Sequence, residues 1–312
     1  MTQRKKSKKR TPRRRRALWA LAVAGVVFAF LTGLWWSTPA PRRPAPKQPA
    51  QKAAQAPVPK AKPAVEPKKA SPPAESAAKP PTAPRPMVAI IIDDMGHGLG
   101  PAQRLAGLGM PLTFSILPHS LQAKAVARLA HAHGVEVMLH LPMEPKGYPS
   151  RNPGQGVLLR EMTRERLLEV LRDDLARVPS AAGVNNHMGS AFTLHPELLE
   201  PVLLEIKRRG LFYLDSFTSA DSLGLATAQR LGLCTGRRDV FLDHQTNREA
   251  IDQQMRRLLA LAKERGRAVA IGHPHPETIK ALEEWAPRLR RQVVLVKVSE
   301  ALSARSSPGK GH

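Results

Sequence analysis

The stretch Met87-Val88-Ala89-Ile90-Ile91-Ile92-Asp93-Asp94-Met95-Gly96 decides the fold. Six apolar residues, four of them β-branched, run without a break into two acids, with a glycine two residues on. So short and continuous a run reads as a strand buried on both faces, the kind parallel sheets use. Working outward, similar runs recur at Leu112 to Leu117, Val135 to His140, Ala181 to His187, Leu211 to Asp215, Asp239 to Asp243, Arg267 to Gly272 and Gln292 to Val298. Helical patterns separate them over Leu121 to His133, Thr163 to Arg177, Pro196 to Arg209, Arg248 to Arg265 and Pro276 to Leu289. Thr163 and Asn247 are placed to cap helix N-termini, and Gly134, Gly210 and Gly266 to end helices just before a strand.

Strand and helix in strict alternation imply parallel strands, and seven or eight such units suggest a closed or nearly closed α/β barrel, with an open doubly wound sheet as the alternative. The connection from Leu141 to Glu161 is too long for a plain βα loop and is expected to be a functional loop over the barrel mouth. Gly96, Gly98 and Gly100 follow the first strand, but their spacing is not that of a dinucleotide-binding turn.

Upstream of Met87 the composition changes character. Residues 1–16 hold ten Lys or Arg and no acid, and residues 17–36 hold no charge at all. Twenty helical residues rise about 30 Å, the thickness of a bilayer's hydrocarbon core. A basic flank before one apolar span predicts a single-pass membrane anchor, its tail in the cytoplasm and everything after Trp36 exported to the periplasm or the cell exterior. A cleaved signal peptide is the alternative, although twenty apolar residues exceed the usual ~7–15 of its core. Residues 37–86 carry fifteen of the chain's thirty prolines and ten Lys or Arg against Glu66 and Glu75, so they read as a disordered, semi-rigid linker. Residues 303–312 read as a disordered tail.

Of the formal charge of +24, the tail carries +10 and the linker +8, which leaves +6 for the remainder. The strongly basic balance therefore belongs to the ends. A domain of +6 with few aromatic residues gives no support for nucleic-acid binding, and attraction to an anionic membrane or envelope surface accounts for the charge. Cys234 is the only cysteine, so no internal disulfide supports the domain.

Active sites of such barrels lie at the C-terminal ends of the strands. There this sequence places Asp93-Asp94, His140 with Glu144, His187, Asp215-Ser216, Asp243-His244 and His273-Pro274-His275. Seven of eleven histidines (97, 119, 140, 187, 244, 273 and 275) fall on that rim, whereas a random scatter would put more on helices. Imidazoles with carboxylates favour Zn²⁺ or another first-row divalent ion. Strand alternation is expected to point Asp93 and Asp94 apart, one towards an ion and the other towards a water.

The segments IIDDMG (Ile91 to Gly96), HLPMEP (His140 to Pro145), GVNNHMGS (Gly183 to Ser190), DSFTS (Asp215 to Ser219) and IGHPH (Ile271 to His275) together resemble the divergent polysaccharide deacetylase family. The resemblance spans 87–302 and implies a deformed (β/α)7–8 barrel, a divalent metal, and hydrolysis of acetyl groups on an envelope carbohydrate. By that likeness Asp93 is the catalytic base, Asp94 and His140 are metal ligands, and His273 is the general acid. Glu144 stands where the better-understood deacetylases have a second histidine, and Asn185-Asn186-His187 replaces their arginine-proline-tyrosine. The expected metal set is thus Asp94, His140 and His187, with Glu144 as an optional fourth. Asn185, Asn186, Asp215, Ser216 and His275 are expected to face the substrate. A silent glycan-binding domain on the same barrel is a second reading, and a metal phosphoesterase a third.

Overall fold

The computed structural model of the protein describes residues 85–303. The expected basic tail, membrane anchor, linker as far as residue 84 and residues 304–312 lie outside that range. Among the described residues no helix is long and apolar enough to cross a membrane.

The described elements run β1 (Met87–Met95), α1 (Leu99–Ala106), β2 (Thr113–Ile116), α2 (Ala123–Ala132), β3 (Glu136–Met143), α3 (Arg164–Arg177), β4 (Gly183–Met188), α4 (Pro196–Arg208), β5 (Phe212–Asp215), α5 (Gly224–Arg230), β6 (Thr235–Arg237), β7 (Val240–Phe241), α6 (Arg248–Arg265), β8 (Arg267–Gly272), α7 (Pro276–Gln292), β9 (Val294–Leu295) and α8 (Val298–Ser303). The strands form one parallel sheet in the order β6-β5-β4-β3-β2-β1-β8-β7, with β9 also on β1. Thr163 and Asn247 cap α3 and α6 with their side chains, accepting from the amides of Arg166 and Ala250.

The sheet curls into a barrel that its ladder does not close. β6 and β7 lie at opposite edges of the strand order, yet only Arg238 and Asp239 separate them in the chain. Three Cα steps span at most about 11 Å, roughly two strand spacings, so the edges must come together. The two linking residues bridge the seam. Arg238 N donates to Asp215 O of β5 at 3.0 Å, and Asp239 N donates to Val269 O of β8 at 2.9 Å. The expected strand Asp239 to Asp243 is therefore the second half of a strand pair that straddles this seam, and the β6 half was not anticipated.

Side-chain alternation divides the apolar residues into two cores. Val88, Ile90 and Ile92 of β1 face outward and pack with helix residues such as Leu105, Leu258 and Leu282. Ala89 and Ile91 face inward, joined by Met138, Phe212, Leu214, Val269 and Ile271 from three other strands. Gly183 on β4 makes room for this interior, since a Cβ there would overlap the Phe212 ring.

The expected eighth strand, Gln292 to Val298, is corrected. Gln292 ends α7, Val294–Leu295 pair with Met87 and Val88, and Val298 opens α8. Along the same edge of β1, β2 takes over from Ile91, so no further ladder is available to β9. The chain instead turns under the barrel, where Val298, Ala301 and Leu302 join the interior core. Thr113 and Glu136, at the lower ends of their strands, accept from Val298 N and Ser299 N and so hold the N-terminus of α8.

The long connection after β3 folds back on itself, with Leu158 N donating to Pro142 O and Glu144 N to Leu158 O. Beneath it lies Asp174 of α3, fully buried, its Oδ1 2.9 Å from His119 Nε2 and its carboxylate against Gly156. Burial, and then the charge of Asp173, push the Asp174 carboxyl up to about 8 against the pull of Arg177. Burial lowers His119, so the pair is held neutral and shares one proton.

Two outcomes are expected. Gly183→Ala forces Phe212 or the backbone aside and lowers unfolding free energy by about 1–3 kcal/mol in urea titrations. The native state retains a proton on Asp174 that an unfolded aspartate loses near pH ~4, so stability falls as pH rises from there through about 8. Asp174→Asn should flatten that slope when urea midpoints are compared at pH 5 and pH 8.5.

Candidate active site

The inward series of each strand continues upward from the apolar core into polar residues. Above Ile91, Met138, Leu214 and Ile271 come Asp93, His140, Ser216 and His273, with Asn185 and His187 supplied by β4. Asp93, His140, His187, Ser216 and His273 line a cavity of about 620 Å³ at the C-terminal ends of the strands. That volume is typical of a small-ligand site.

Backbone distortion at the rim aims these groups. The β1–β2 register shifts between Ile92 and Met95, and Asp94 takes a φ of 55°. This bulge breaks the alternation expected for Asp93-Asp94, so both carboxylates converge on His140. Asp93 Oδ2 lies 3.6 Å and Asp94 Oδ1 3.2 Å from His140 Nε2. Met188 and Phe217, at φ 54° and 53°, also line the cavity. Such conformations cost about 1–2 kcal/mol each in residues with a Cβ, and strain of this kind collects at functional sites.

Asp94 Oδ1, His140 Nε2 and His187 Nδ1 form a nearly equilateral triangle with sides of 3.2, 3.1 and 3.1 Å. Asp94 Oδ1 is buried and receives no well-directed hydrogen bond. The tautomer of His140 follows from its neighbour. Asn185 Nδ2 must face the carboxylate of Asp93, to which it donates at 2.9 Å, so Asn185 Oδ1 faces His140 and accepts from Nδ1 at 2.9 Å. Nε2 is then left with its lone pair towards Asp94 and His187. Bonds of ~2.0–2.2 Å to one first-row ion place adjacent donors about 3 to 3.5 Å apart. The triangle and its donor set therefore fit a divalent cation.

Ionisation points the same way. Burial would raise Asp94, but the imidazoles of His140 and His187, 3.2 and 3.1 Å from its Oδ1, outweigh it and hold the carboxyl far below its usual range. Burial would likewise lower His140, yet Asp93, Asp94 and Asn185 raise it. The pocket floor is thus electrostatically short of positive charge.

His273 stands beside this group, its Nε2 3.9 Å from Asp94 Oδ2. Its Nδ1 donates to Asp243 Oδ1 at 3.0 Å, while Asp243 Oδ2 accepts from His273 N and Thr278 Oγ1. Burial disfavours the imidazolium, but Asp243, followed by Asp93 and Asp94, raises it to about 9. His273 is therefore protonated near neutral pH and presents Nε2–H to the cavity. The sequence placed Asp243 at a strand end without giving it this role.

Other predicted residues are placed differently. Glu144 does not join the triangle, because both its oxygens are taken by Arg160, whose amide and Nε donate at 2.7 and 2.8 Å. Asp215 faces away from the cavity and is fully buried, accepting from Phe217 N, Ser222 Oγ and Leu225 N. Asn186 reaches the cavity wall but spends its amide on Met188 O, Ser216 N and Tyr213 Oη. Asn185 is a buried hub rather than a free substrate contact, and its Nδ2 also donates to Ser216 Oγ. His275 is exposed at the start of α7, its ring 5.7 Å from that of His273. Arg238, missed in the sequence, lines the cavity and holds the rim by donating to Ser216 O and Phe217 O. Pro145 and Arg151 bring the long connection to the mouth as expected.

Comparison with known proteins extends these findings. The family model described as divergent polysaccharide deacetylase matches residues 90–302. The chain is 35% identical over 217 residues to the uncharacterized protein YibQ of Escherichia coli (strain K12), covering 69% of this chain and 67% of that one. An uncharacterized protein of Haemophilus influenzae is 30% identical over 209 residues, covering 67% and 74%. The crystal structure of the uncharacterized protein ATU2773 from Agrobacterium tumefaciens C58 superposes with a TM-score of 0.67 at 28% identity, covering 70% of this chain and 90% of that one.

If Asn185 sets the His140 tautomer, Asn185→Leu should weaken Zn²⁺ or Co²⁺ binding about 10–100-fold in chelator competition. Unchanged affinity in a folded variant would remove Asn185 from that role.

Proposed function

The chain belongs to the divergent polysaccharide deacetylase family, and from that premise we propose that it hydrolyses acetyl groups from a carbohydrate of the cell envelope. One observation carries the reading: three ligand atoms, from Asp94, His140 and His187, stand 3.1–3.2 Å apart on the floor of a cavity that Asp93 and His273 also line.

A divalent ion held by Asp94, His140 and His187 would polarise the acetyl carbonyl and make a water more acidic. Zn²⁺ suits two imidazoles and one carboxylate. Asp93 is the proton acceptor, its Oδ2 facing the same space as the ligand atoms while Asn185 fixes Oδ1. As water adds to the acetyl carbon, Asp93 takes its proton. His273 then gives the Nε2 proton to the departing sugar amine or hydroxyl, and acetate remains. Asp243 orients the imidazolium and stabilises its charge.

The same proposal places the domain outside the inner membrane, in the periplasm, tethered through residues 17–36 and the proline-rich segment that follows. A second reading, a glycan-binding domain without turnover, draws on Glu144, which stands at the second-histidine position yet is engaged by Arg160.

Acetate release from acetylated glycans by the Zn²⁺-loaded protein tests both. Asp93→Asn and His273→Gln should each reduce turnover about 10²–10⁴-fold while bound zinc stays stoichiometric. A folded protein that holds no divalent ion and frees no acetate would end the hydrolase reading, and EDTA-resistant glycan binding would favour the second.

A further inference from the structure

The open seam of the barrel leads out of the catalytic cavity into a second one. This groove, about 510 Å³, is bounded by the β6–β7 link and α6 and shares Phe217, Arg238, Phe241 and His244 with the first. A polymer held with one sugar above Asp94 and His140 would have its neighbouring units within reach of it.

The groove is strongly basic. Arg237, Arg238, Arg257 and Arg265 line it against a single acid, Asp239. Asp239 is itself committed, its Oδ2 accepting from Val269 N at 2.9 Å and its Oδ1 lying 3.5 Å from Arg265 Nη1. Arg238 is spent on the carbonyls of the rim. Among the described residues no carboxylate lies within ion-pair distance of Arg237 or Arg257. The Arg237 guanidinium stacks 4.6 Å above the Phe217 ring, which leaves its N–H edge free. A planar, uncompensated guanidinium offers paired donors matched to a carboxylate or a phosphate.

We propose that this groove is a subsite for an oxyanion, carboxylate or phosphate, borne by the glycan next to the acetylated sugar. The inference rests on the deacetylase reading for its orientation and names the substrate class as acidic glycans. The basic lining of the groove is what sets the register. Arg237 and Arg257 draw an acidic sugar into the groove, whereas a neutral acetylated sugar gains nothing there and is left for the catalytic floor.

The test uses calorimetric binding to the full chain of three probes: oligogalacturonate, a chitooligosaccharide bearing a 6-phosphate, and the neutral N-acetylglucosamine pentamer. At least one acidic probe should bind roughly tenfold or more tightly than the neutral one, and the two acidic arms tell carboxylate from phosphate. The advantage should vanish in Arg237→Gln/Arg257→Gln and shrink as NaCl is raised. Equal binding of all three probes, no binding of any, or a preference that survives the double variant would overturn the subsite. Acetate release is measured separately. Acidic preference without release would sink the hydrolase reading alone, and release without acidic preference would sink the subsite alone.

Discussion

A parallel strand sends alternate side chains to opposite faces, and in a curled sheet one of those faces is an interior with no solvent. Everything at the top of this barrel inherits its position from that constraint. Ala89, Ile91 and Asp93 are successive inward residues of β1, as are Met138 and His140 of β3 and Val269 and Ile271 of β8 below His273. The lower members fill the core and the upper ones meet the cavity. Apart from Asp94 Oδ1, the buried polar groups there are partnered, and Asn185 is their hub, bonding to Asp93, His140, Ser115 and Ser216 at once.

The same parity explains which site residues could be read from the sequence. Asp93, His140, His187 and His273 sit on inward positions at strand ends, and the strands themselves were legible as apolar runs. Asn186 and Asp215 occupy the outward register, one step from Asn185 and Ser216, and their side chains brace the rim instead. The inward series of β4 runs through Gly183 and Asn185 to His187, so that difference is written in the sequence. Asp94 was legible as a ligand only through the family likeness, because its aim depends on a bulge that breaks the alternation. Glu144 and Asp243 depend on partners 16 and 30 residues away, Arg160 and His273, which no local spacing announces.

Secondary structure followed a similar division. Arg248–Arg265 and Arg267–Gly272 have the bounds that capping and glycine placement suggest, since Asn247 and Gly266 act on the chain locally. Gln292 to Val298 is as β-branched as any strand in the chain, but whether an apolar run pairs depends on a free edge. β2 occupies the edge of β1 beyond Ile91, leaving β9 two residues and sending the rest to plug the barrel. Thr235–Arg237 has little apolar character and is a strand because β5 and the seam require it.

That seam is where architecture and electrostatics meet. Elsewhere a helix of some length separates successive strands, but β6 passes to β7 through two residues, so the barrel is closed by a link instead of a ladder. A link leaves backbone and side chains free to diverge, and Arg237 and Arg238 turn to opposite tasks, one stacked on Phe217 and the other tied to the rim. A continuous ladder at this point would have walled the catalytic cavity off from α6. With the ladder absent, the acidic floor that calls for a cation and the basic groove beside it belong to one continuous surface. Under the proposed reading, an extended glycan on that surface would meet Asp94, His140 and His187 at one unit and the guanidiniums of Arg237 and Arg257 at another, so that its charge pattern as well as its acetyl group would decide how it lies.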